Sequence, residues 1–97
     1  MIADSKTKAK VDVSQELTAV SELMEAVLSD TSVPRNIRAV VDEALKKISS
    51  LEEKAVAVST AIYQLDDISN DINMPSHTRT EIWGIISELE SIKEKLK

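Results

Sequence analysis

Apolar residues recur along this chain at intervals of three and four, which is the spacing of one face of an α-helix. Four such stretches, separated by short polar segments, predict helices at about residues 13–29, 34–49, 51–71 and 75–96. Each stretch carries charged residues on its opposite face. Because an apolar face left in water costs about 25 cal/mol per Å², the four faces must pack together, and the short connections make consecutive helices antiparallel. The pattern therefore predicts an all-α fold, an antiparallel four-helix bundle.

Two of the predicted helices begin with residues that are suited to cap them. Asp12 with Gln15, and Ser50 with Glu53, show the three-residue spacing of a capping box. In that arrangement the first side chain accepts a hydrogen bond from a backbone N–H of the first turn, and the second side chain reaches back to the cap. We therefore expect the first and third helices to begin at these pairs.

A proline-centred phrase occurs twice in the chain, as SVPRNIR at residues 32–38 and as NMPSHTR at residues 73–79. The offset of 41 positions pairs Asp30 with Asp71, Val33 with Met74, Pro34 with Pro75 and Arg38 with Arg79. Both phrases fall between two predicted helices, and a proline suits the first turn of a helix. The repeat therefore predicts a bundle made of two pseudo-symmetric helical hairpins.

Each predicted turn has the same parts, namely an aspartate, an apolar plug, a proline and an arginine. We expect Asp30 to pair with Arg38, or to cap the helix that follows. Asp71 and Arg79 should do the same in the second turn, because charges at turns usually form caps and ion pairs. This structural role is favoured over the alternative, a functional charge cluster made of the same four residues.

Length and composition limit the possible functions. The chain of 97 residues suits one domain at residues 12–97, and residues 1–11 are polar enough to predict a frayed tail. The absence of cysteine excludes thiolate zinc sites and thiol catalysis and fits the reducing cytoplasm. A net charge of −5 disfavours nucleic acid as a partner. No apolar run approaches the length of about 18 residues that a membrane span needs, so we predict a cytoplasmic protein without a membrane segment.

The stretch DDISND, residues 66–71, is the strongest sequence candidate for metal chemistry. On a helix, Asp66 shares one edge with Asn70, and Asp67 shares the next edge with Asp71. Hard divalent cations accept several such oxygens, and the stretch resembles the aspartate-rich Mg²⁺ motif of prenyl-diphosphate synthases. The second aspartate-rich helix that those enzymes use is missing here. We therefore favour a solvated acidic face, with a metal site at Asp66, Asp67 and Asp71 as the alternative.

His77, the single histidine, lies between Ser76 and Thr78. Adjacent residues on a helix point about 100° apart, so neither hydroxyl faces the imidazole as a nucleophile faces its base. A triad also requires a third residue that orients the base, and the chain has no second histidine to act in place of His77. One histidine without cysteine makes a poor zinc site. The sequence therefore predicts no catalytic residue and no cofactor.

Trp83 and Gly84 stand out in the last predicted helix. Trp83 lies at the edge of the apolar stripe, and Gly84 can mark a close approach by another backbone. Tyr63, off the main face of the third helix, is expected nearby. We favour the interpretation that Trp83 and Tyr63 fill the flank of the bundle. The alternative is a protein-contact patch, because such aromatic residues are enriched at binding hot spots.

Two resemblances accompany this architecture. The segment LMEAVLSDTSVPRNIRAVVDEALKKI loosely resembles a HEAT-type helical hairpin, although two hairpins are fewer than a solenoid needs. The phrases DTSVPRNIRAVVDEAL and LDDISNDINMPSHTRTEIWGIISELE resemble an uncharacterised family of small archaeal helical proteins, over about Val13 to Ile92. Membership implies a compact four-helix bundle in a cytoplasmic archaeal protein. It implies no activity and supplies no catalytic residues.

The leading hypothesis is a non-enzymatic interaction module that binds an unknown protein partner or a second copy of itself in a symmetric dimer. It depends on the lack of a nucleophile–base pair, a phosphate-binding loop, soft-metal ligands and a basic field in the sequence. A divalent-metal-dependent enzyme or metal binder centred on DDISND is the alternative. Nucleic-acid binding is supported only by Arg35, Arg38 and Arg79 near the turns, where two or three phosphate contacts would bind weakly.

Overall fold

The computed structural model describes residues 12–50 and 53–96 of the chain, and the predicted tail at residues 1–11 lies outside them. The described residues form four helices and no strand. These are α1 (Ser14–Ser29), α2 (Arg35–Ser49), α3 (Lys54–Ile68) and α4 (Ser76–Lys95). The all-α fold is therefore confirmed for this part of the chain. None of the four helices is both long enough and apolar enough to cross a membrane.

The four helices pack in a closed ring, in which α1 contacts α2 and α4, and α3 contacts the same two helices. Hydrogen bonds near both ends of the α1–α4 pair show that these helices run antiparallel. Lys95 Nζ donates to Glu16 Oε2 (2.6 Å) near the start of α1, and His77 contacts Asp30 just beyond its end. The contact between the first and last helices confirms a bundle and excludes an open row of HEAT-type hairpins.

The core is aliphatic and receives side chains from all four helices. Its largest fully buried helical side chains are Val20, Met24 and Val27 from α1, Ile37 and Val41 from α2, Val58 and Leu65 from α3, and Ile82, Ile85, Leu89 and Ile92 from α4. These residues recur at the spacing from which the helices are predicted. The apolar stripes of the sequence therefore face one shared core.

Both repeated turns contribute to the core and start the next helix in the same way. Val33 in the first turn and Met74 in the second are only 1% and 4% exposed, so they plug the same end of the bundle. Pro34 and Pro75 occupy the N-caps of α2 and α4 with nearly identical dihedral angles, φ −56° and ψ 149° against φ −58° and ψ 147°. The predicted pseudo-symmetry of the hairpins is therefore present in the backbone of the turns.

The helix starts use the predicted capping residues in a different way. Asp12 Oδ1 accepts hydrogen bonds from the backbone N–H (2.9 Å) and the hydroxyl (2.7 Å) of Ser14, while Val13 occupies the N-cap of α1. Glu53 is itself the N-cap of α3, where its side chain accepts a hydrogen bond from the N–H of Val56 (3.0 Å). Each predicted stretch therefore contains an acidic side chain that binds the start of its helix. In α3, however, the capping residue is Glu53 and not Ser50, which lies three residues earlier.

The third helix ends at Ile68 rather than near residue 71, where the sequence predicts its end. The Ser69 N–H makes a bifurcated hydrogen bond that is common at helix ends: it donates to the carbonyl of Leu65 (3.0 Å), as inside a helix, and to that of Asp66 (3.2 Å), which tightens the last turn. The Ser69 hydroxyl also donates to the Asp66 carbonyl (2.7 Å). A serine hydroxyl that binds a nearby carbonyl competes with continuation of the helix. The residues that follow are therefore free to form the second repeated turn.

Candidate functional site

Each repeated turn is closed by its aspartate. Asp30 Oδ1 accepts a hydrogen bond from the backbone N–H of Ser32 (2.9 Å), and Asp71 Oδ1 accepts one from the N–H of Asn73 (2.8 Å). An aspartate that binds the backbone two residues ahead replaces a backbone hydrogen bond and shapes a tight turn. The pseudo-symmetry therefore extends to individual hydrogen bonds.

Each aspartate also reaches across to the other hairpin. Asp30 Oδ2 lies 2.9 Å from His77 Nε2 of α4, and Asp71 Oδ2 accepts a hydrogen bond from Asn36 Nδ2 of α2 (3.2 Å). An ionised carboxylate only accepts hydrogen bonds, so His77 Nε2 carries the donated proton. The repeat offset that pairs Asp30 with Asp71 also pairs Asn36 with His77. The two contacts are equivalent by pseudo-symmetry, and both join the hairpins at the same end of the bundle.

The arginines of the repeat bind backbone carbonyls, which differs from the predicted pairing of Asp30 with Arg38 and of Asp71 with Arg79. Arg38 Nε donates to the carbonyl of Val33 (3.1 Å), and Arg79 Nη2 donates to the backbone carbonyl of Asp71 (2.9 Å). Neither aspartate caps the following helix, because both N-caps are prolines without a side-chain hydrogen bond. The physical reason is that each carboxylate is already engaged by its own turn and by the opposite hairpin.

Glu81 joins the Asp30–His77 contact to form the candidate site. The ligand atoms of Asp30, His77 and Glu81 all lie within 4.8 Å of one another. His77 and Glu81 are four residues apart in α4, which places both side chains on one face. Hydrogen bonds from the Ser32 hydroxyl, from His77 and from the Ser32 N–H lower the pKa of Asp30 from 3.8 to about 2. The cluster therefore combines an imidazole with a carboxylate that is ionised at neutral pH and a second carboxylate beside it.

Sequence reasoning misses this cluster because it treats His77 as a lone ligand. The four-residue spacing between His77 and Glu81 is a usable signal, whereas Asp30 lies 47 residues from the histidine. The contact forms because the two turns meet at the same end of the bundle, which the sequence alone does not show. The hydroxyl of Thr78 lies 3.4 Å from His77 Nε2, although the side chains of adjacent helical residues point in different directions. Thr78 is fully buried.

The carboxylates of the DDISND stretch do not converge. Asp66 and Asp67 are exposed, while the Asp71 carboxylate binds Asn36 and Asn73. Among the described residues, these aspartates form no group of three ligand side chains close enough to share an ion. The alternative metal site at Asp66, Asp67 and Asp71 therefore lacks the geometry that it needs.

Tyr63 and Trp83 lie on the surface, with 78% and 56% of their area exposed. Tyr63 lines a groove of about 200 Å³ between α3 and α4, whose other lining residues are Ser59, Ile62, Asp66, Ile86, Glu90 and Lys93. Trp83 lies three residues before Ile86, on the adjacent turn of α4. The favoured interpretation, that the two aromatic side chains fill the flank of the bundle, is wrong because most of each side chain is in solvent.

Gly84 is exposed on α4. A Cβ atom built at this position meets nothing within 4 Å, so no described backbone approaches it closely. The interpretation that the glycine admits another segment of the same chain is therefore wrong for the part of the chain that the structure describes. Contact with a partner at Gly84 stays a prediction.

The chain matches the uncharacterised protein family UPF0147 over residues 4–92. A UPF0147 protein from Methanocaldococcus jannaschii is 50% identical over 78 residues, which are 79% of this chain and 84% of the relative. A UPF0147 protein from Pyrococcus abyssi is 43% identical over 84 residues, 84% of this chain and 98% of the relative. The family match spans both repeated turns and the whole candidate site.

Two crystal structures are similar to this fold. The structure of MMP1188, a protein of unknown function, has a TM-score of 0.80 at 52% identity and covers 87% of this chain and 97% of its own. A UPF0147 protein from Thermoplasma acidophilum has a TM-score of 0.77 at 36% identity and covers 84% of this chain and 99% of its own. Sequence and fold agree, and the chain belongs to the uncharacterised protein family UPF0147, whose archaeal members have no assigned function.

Proposed function

We propose that the protein is a non-enzymatic interaction module that binds another protein through the α3–α4 flank. The observation that carries this proposal is the exposure of Tyr63 (78%) and Trp83 (56%), the only tyrosine and tryptophan in a chain without phenylalanine. The aliphatic core closes without either side chain, so the stability of the bundle does not explain them. Trp and Tyr are enriched among the residues that dominate binding energy.

The groove beside Tyr63 has the composition of a binding surface. Ile62 and Ile86 are partly buried against the core and form its apolar part. Asp66 and Lys93 line it with opposite charges. Protein interfaces combine an apolar centre with a polar rim in this manner. The flank therefore suits a partner that presents an apolar side chain between charged groups.

The burial of Thr78 supports the non-enzymatic part of the proposal. Its hydroxyl lies 3.4 Å from His77 Nε2, which is beyond the roughly 2.6–3.2 Å of a nucleophile–base pair, and that nitrogen donates its proton to Asp30. Thr78 is also 0% exposed, and its side chain belongs to the packed face of α4. A substrate cannot reach this hydroxyl while the bundle is folded.

A second copy of the chain is the first partner to test. Sedimentation velocity over a wide range of concentration measures self-association, and the emission of Trp83, the single tryptophan, reports burial of the flank directly. We expect the emission of the wild type to shift to the blue as it associates. Trp83→Ser and Tyr63→Ser should weaken association at unchanged helicity. Leu23→Ser is the matched control, because Leu23 is a 48% exposed apolar residue on α1.

A strictly monomeric wild type directs the test to a different protein. Chemical crosslinking in an archaeal cell extract should then give a product with the wild type and with Leu23→Ser that Trp83→Ser lacks. A monomer whose crosslinked products are the same with and without Trp83 would overturn the proposal.

A further inference from the structure

We propose that Asp30, His77 and Glu81 bind a divalent transition-metal ion of the zinc class at the seam between α1 and α4. This inference is independent of the proposed function, because it uses side chains at the turn end of the bundle and not the groove between α3 and α4. An ion at this position would connect the first hairpin, through Asp30, to the second hairpin, through His77 and Glu81.

The three side chains supply a suitable set of donor atoms. Zinc binds histidine nitrogen and carboxylate oxygen at about 2.0–2.2 Å, and zinc sites that keep an open coordination position use three protein ligands with water in the fourth. Two ligand atoms of a tetrahedral ion at that distance lie about 3.4 Å apart. The ligand atoms here are all within 4.8 Å of one another, with His77 Nε2 and Asp30 Oδ2 at 2.9 Å. The ion would replace the hydrogen bond between His77 and Asp30: the exposed ring takes the tautomer that is protonated at Nδ1, which leaves Nε2 as a free donor atom. The Nε2–Oδ2 distance then opens by about 0.5 Å. An adjustment of about an ångström, available to the exposed Glu81 side chain, completes the geometry.

The surroundings hold Asp30 in position for this role. Its Oδ1 atom accepts hydrogen bonds from the backbone N–H (2.9 Å) and the hydroxyl (2.6 Å) of Ser32, which leaves Oδ2 directed at His77. Hydrogen bonds to a ligating carboxylate orient it and are a regular feature of metal sites. The same bonds keep the carboxylate ionised, and a ligand must be deprotonated to bind an ion.

The pseudo-symmetry of the chain provides a comparison within the molecule. The offset of 41 residues maps the cluster onto Asp71, Asn36 and Val40 in the other turn. There the aspartate and an amide already form the contact between the hairpins. An imidazole is thus not needed to join the hairpins, and neither the turn nor that contact calls for a carboxylate at Glu81, where the equivalent residue is the partly buried Val40. The donors that favour a metal ion are present in one turn only.

The donor set also indicates the class of ion. An imidazole nitrogen beside two carboxylates suits zinc, nickel, cobalt or copper, whereas magnesium and calcium prefer sites built from oxygen alone. With one histidine and no cysteine in the chain, binding to this site has a single spectroscopic reporter. The ring signals of His77 in a proton NMR spectrum belong to no other residue.

The test is a titration of the full chain, without an affinity tag, with ZnCl₂ at pH 7 by calorimetry and NMR. We expect one ion per chain, displacement of the His77 ring signals by Zn²⁺ but not by equal Mg²⁺, and a rise in Tm, since an ion that binds only the folded state stabilises it. Glu81→Gln and His77→Asn each alter a direct ligand and should lower the affinity at least tenfold, since even the loss of a residue that only orients a ligand costs about 10–100-fold. The matched control, Glu88→Gln, alters a carboxylate two turns further along α4 and should bind as the wild type does.

Three results would overturn the proposal. They are His77 ring signals that do not move in excess Zn²⁺, a Glu81→Gln variant that binds with wild-type affinity, and a Glu88→Gln variant that loses as much affinity as Glu81→Gln. Because His77→Asn reproduces the Asn36–Asp71 arrangement of the other turn, we expect it to fold. If the His77→Asn variant does not fold, the zinc affinity of Glu81→Gln, a substitution at an exposed position, decides the question alone. If the Trp83→Ser variant still binds zinc, the metal site does not depend on the proposed contact surface.

Discussion

Asp30 uses the two oxygens of its carboxylate for different parts of the fold. Oδ1 accepts hydrogen bonds from Ser32 and shapes the turn after α1, while Oδ2 meets His77 of α4. Asp71 repeats this division in the second turn, with Asn36 as its partner across the bundle. One residue type at one turn position therefore builds both the hairpin turn and the contact between hairpins. The partners across the bundle, Asn36 and His77, lie at equivalent positions of the repeated phrase.

The pKa of Asp30 makes the stability of the protein depend on acid pH. The group has a pKa of about 2 in the folded protein against 3.8 without its hydrogen bonds. As the pH falls below about 4, the unfolded chain takes up a proton that the folded chain refuses, so the free energy of unfolding decreases. The contribution of Asp30 is present above its unfolded pKa and is lost as the pH falls through about 2.

Urea denaturation between pH 5 and pH 2 measures this dependence. We expect Asp30→Asn, which keeps the size of the side chain, to flatten the fall in unfolding free energy over that interval. Glu88→Gln serves as the comparison, because it removes an exposed carboxylate at a distance from the turn. An Asp30→Asn variant as sensitive to acid as Glu88→Gln would contradict the assignment.

At the scale of the helices, Gly84 is the position that most weakens α4. It is the ninth of 20 residues, where glycine costs about 1 kcal/mol relative to alanine. Because a Cβ at this position meets nothing within 4 Å, we expect Gly84→Ala to raise the free energy of unfolding by about that amount. Thermal or urea denaturation measures the change. As a control, Ala39→Gly at an exposed position of α2 should lower the free energy of unfolding by a similar amount. If Gly84→Ala instead destabilises the protein, the expectation is contradicted and the absence of a side chain at this position is required.

The helices could be predicted from the sequence because burial repeats along each of them. Residues such as Ile82, Ile85 and Leu89 mark the buried face of α4 by spacing alone. The positions of the helix ends are harder to predict from the sequence. Glu53 caps α3 and α3 ends before Ser69 through single hydrogen bonds, with which bonds to neighbouring residues compete. A pattern of types and spacings does not resolve that competition.

The candidate site and the exposed aromatic residues of the α3–α4 flank could be predicted only in part, for a similar physical reason. Trp83 was singled out by residue type, but its exposure depends on how far the α3–α4 flank closes over it. The contact of His77 with Asp30 depends on two turns that meet only after the bundle has closed. The repeat in the sequence shows that the two turns are equivalent, but not that they touch each other. The charge pattern within one turn suggested the arginine as a partner instead.

At the scale of the whole molecule, the ring of contacts makes the two hairpins one unit. The hairpins meet along α2–α3 and again along α1–α4. Buried residues from both, such as Met24, Ile37, Leu65 and Ile85, belong to one cluster. A hairpin that separated would expose half of this cluster to water, which is unfavourable in proportion to its apolar area. The closed ring therefore predicts that neither hairpin unfolds without the other.

Native-state hydrogen exchange followed by NMR tests this cooperativity. Ile37→Val in the first hairpin and Ile85→Val in the second each remove one buried methylene, at a cost of about 0.5–1.5 kcal/mol. Because the slowest amides exchange through global unfolding, each substitution should accelerate them in all four helices by the same factor, roughly two- to twelvefold at 1.36 kcal/mol per tenfold change. Val56→Ala, at a residue that is 51% exposed, should have a smaller and equally uniform effect. Acceleration confined to α1 and α2 in Ile37→Val would instead mean that the hairpins open separately, which the contacts between the first and last helices argue against.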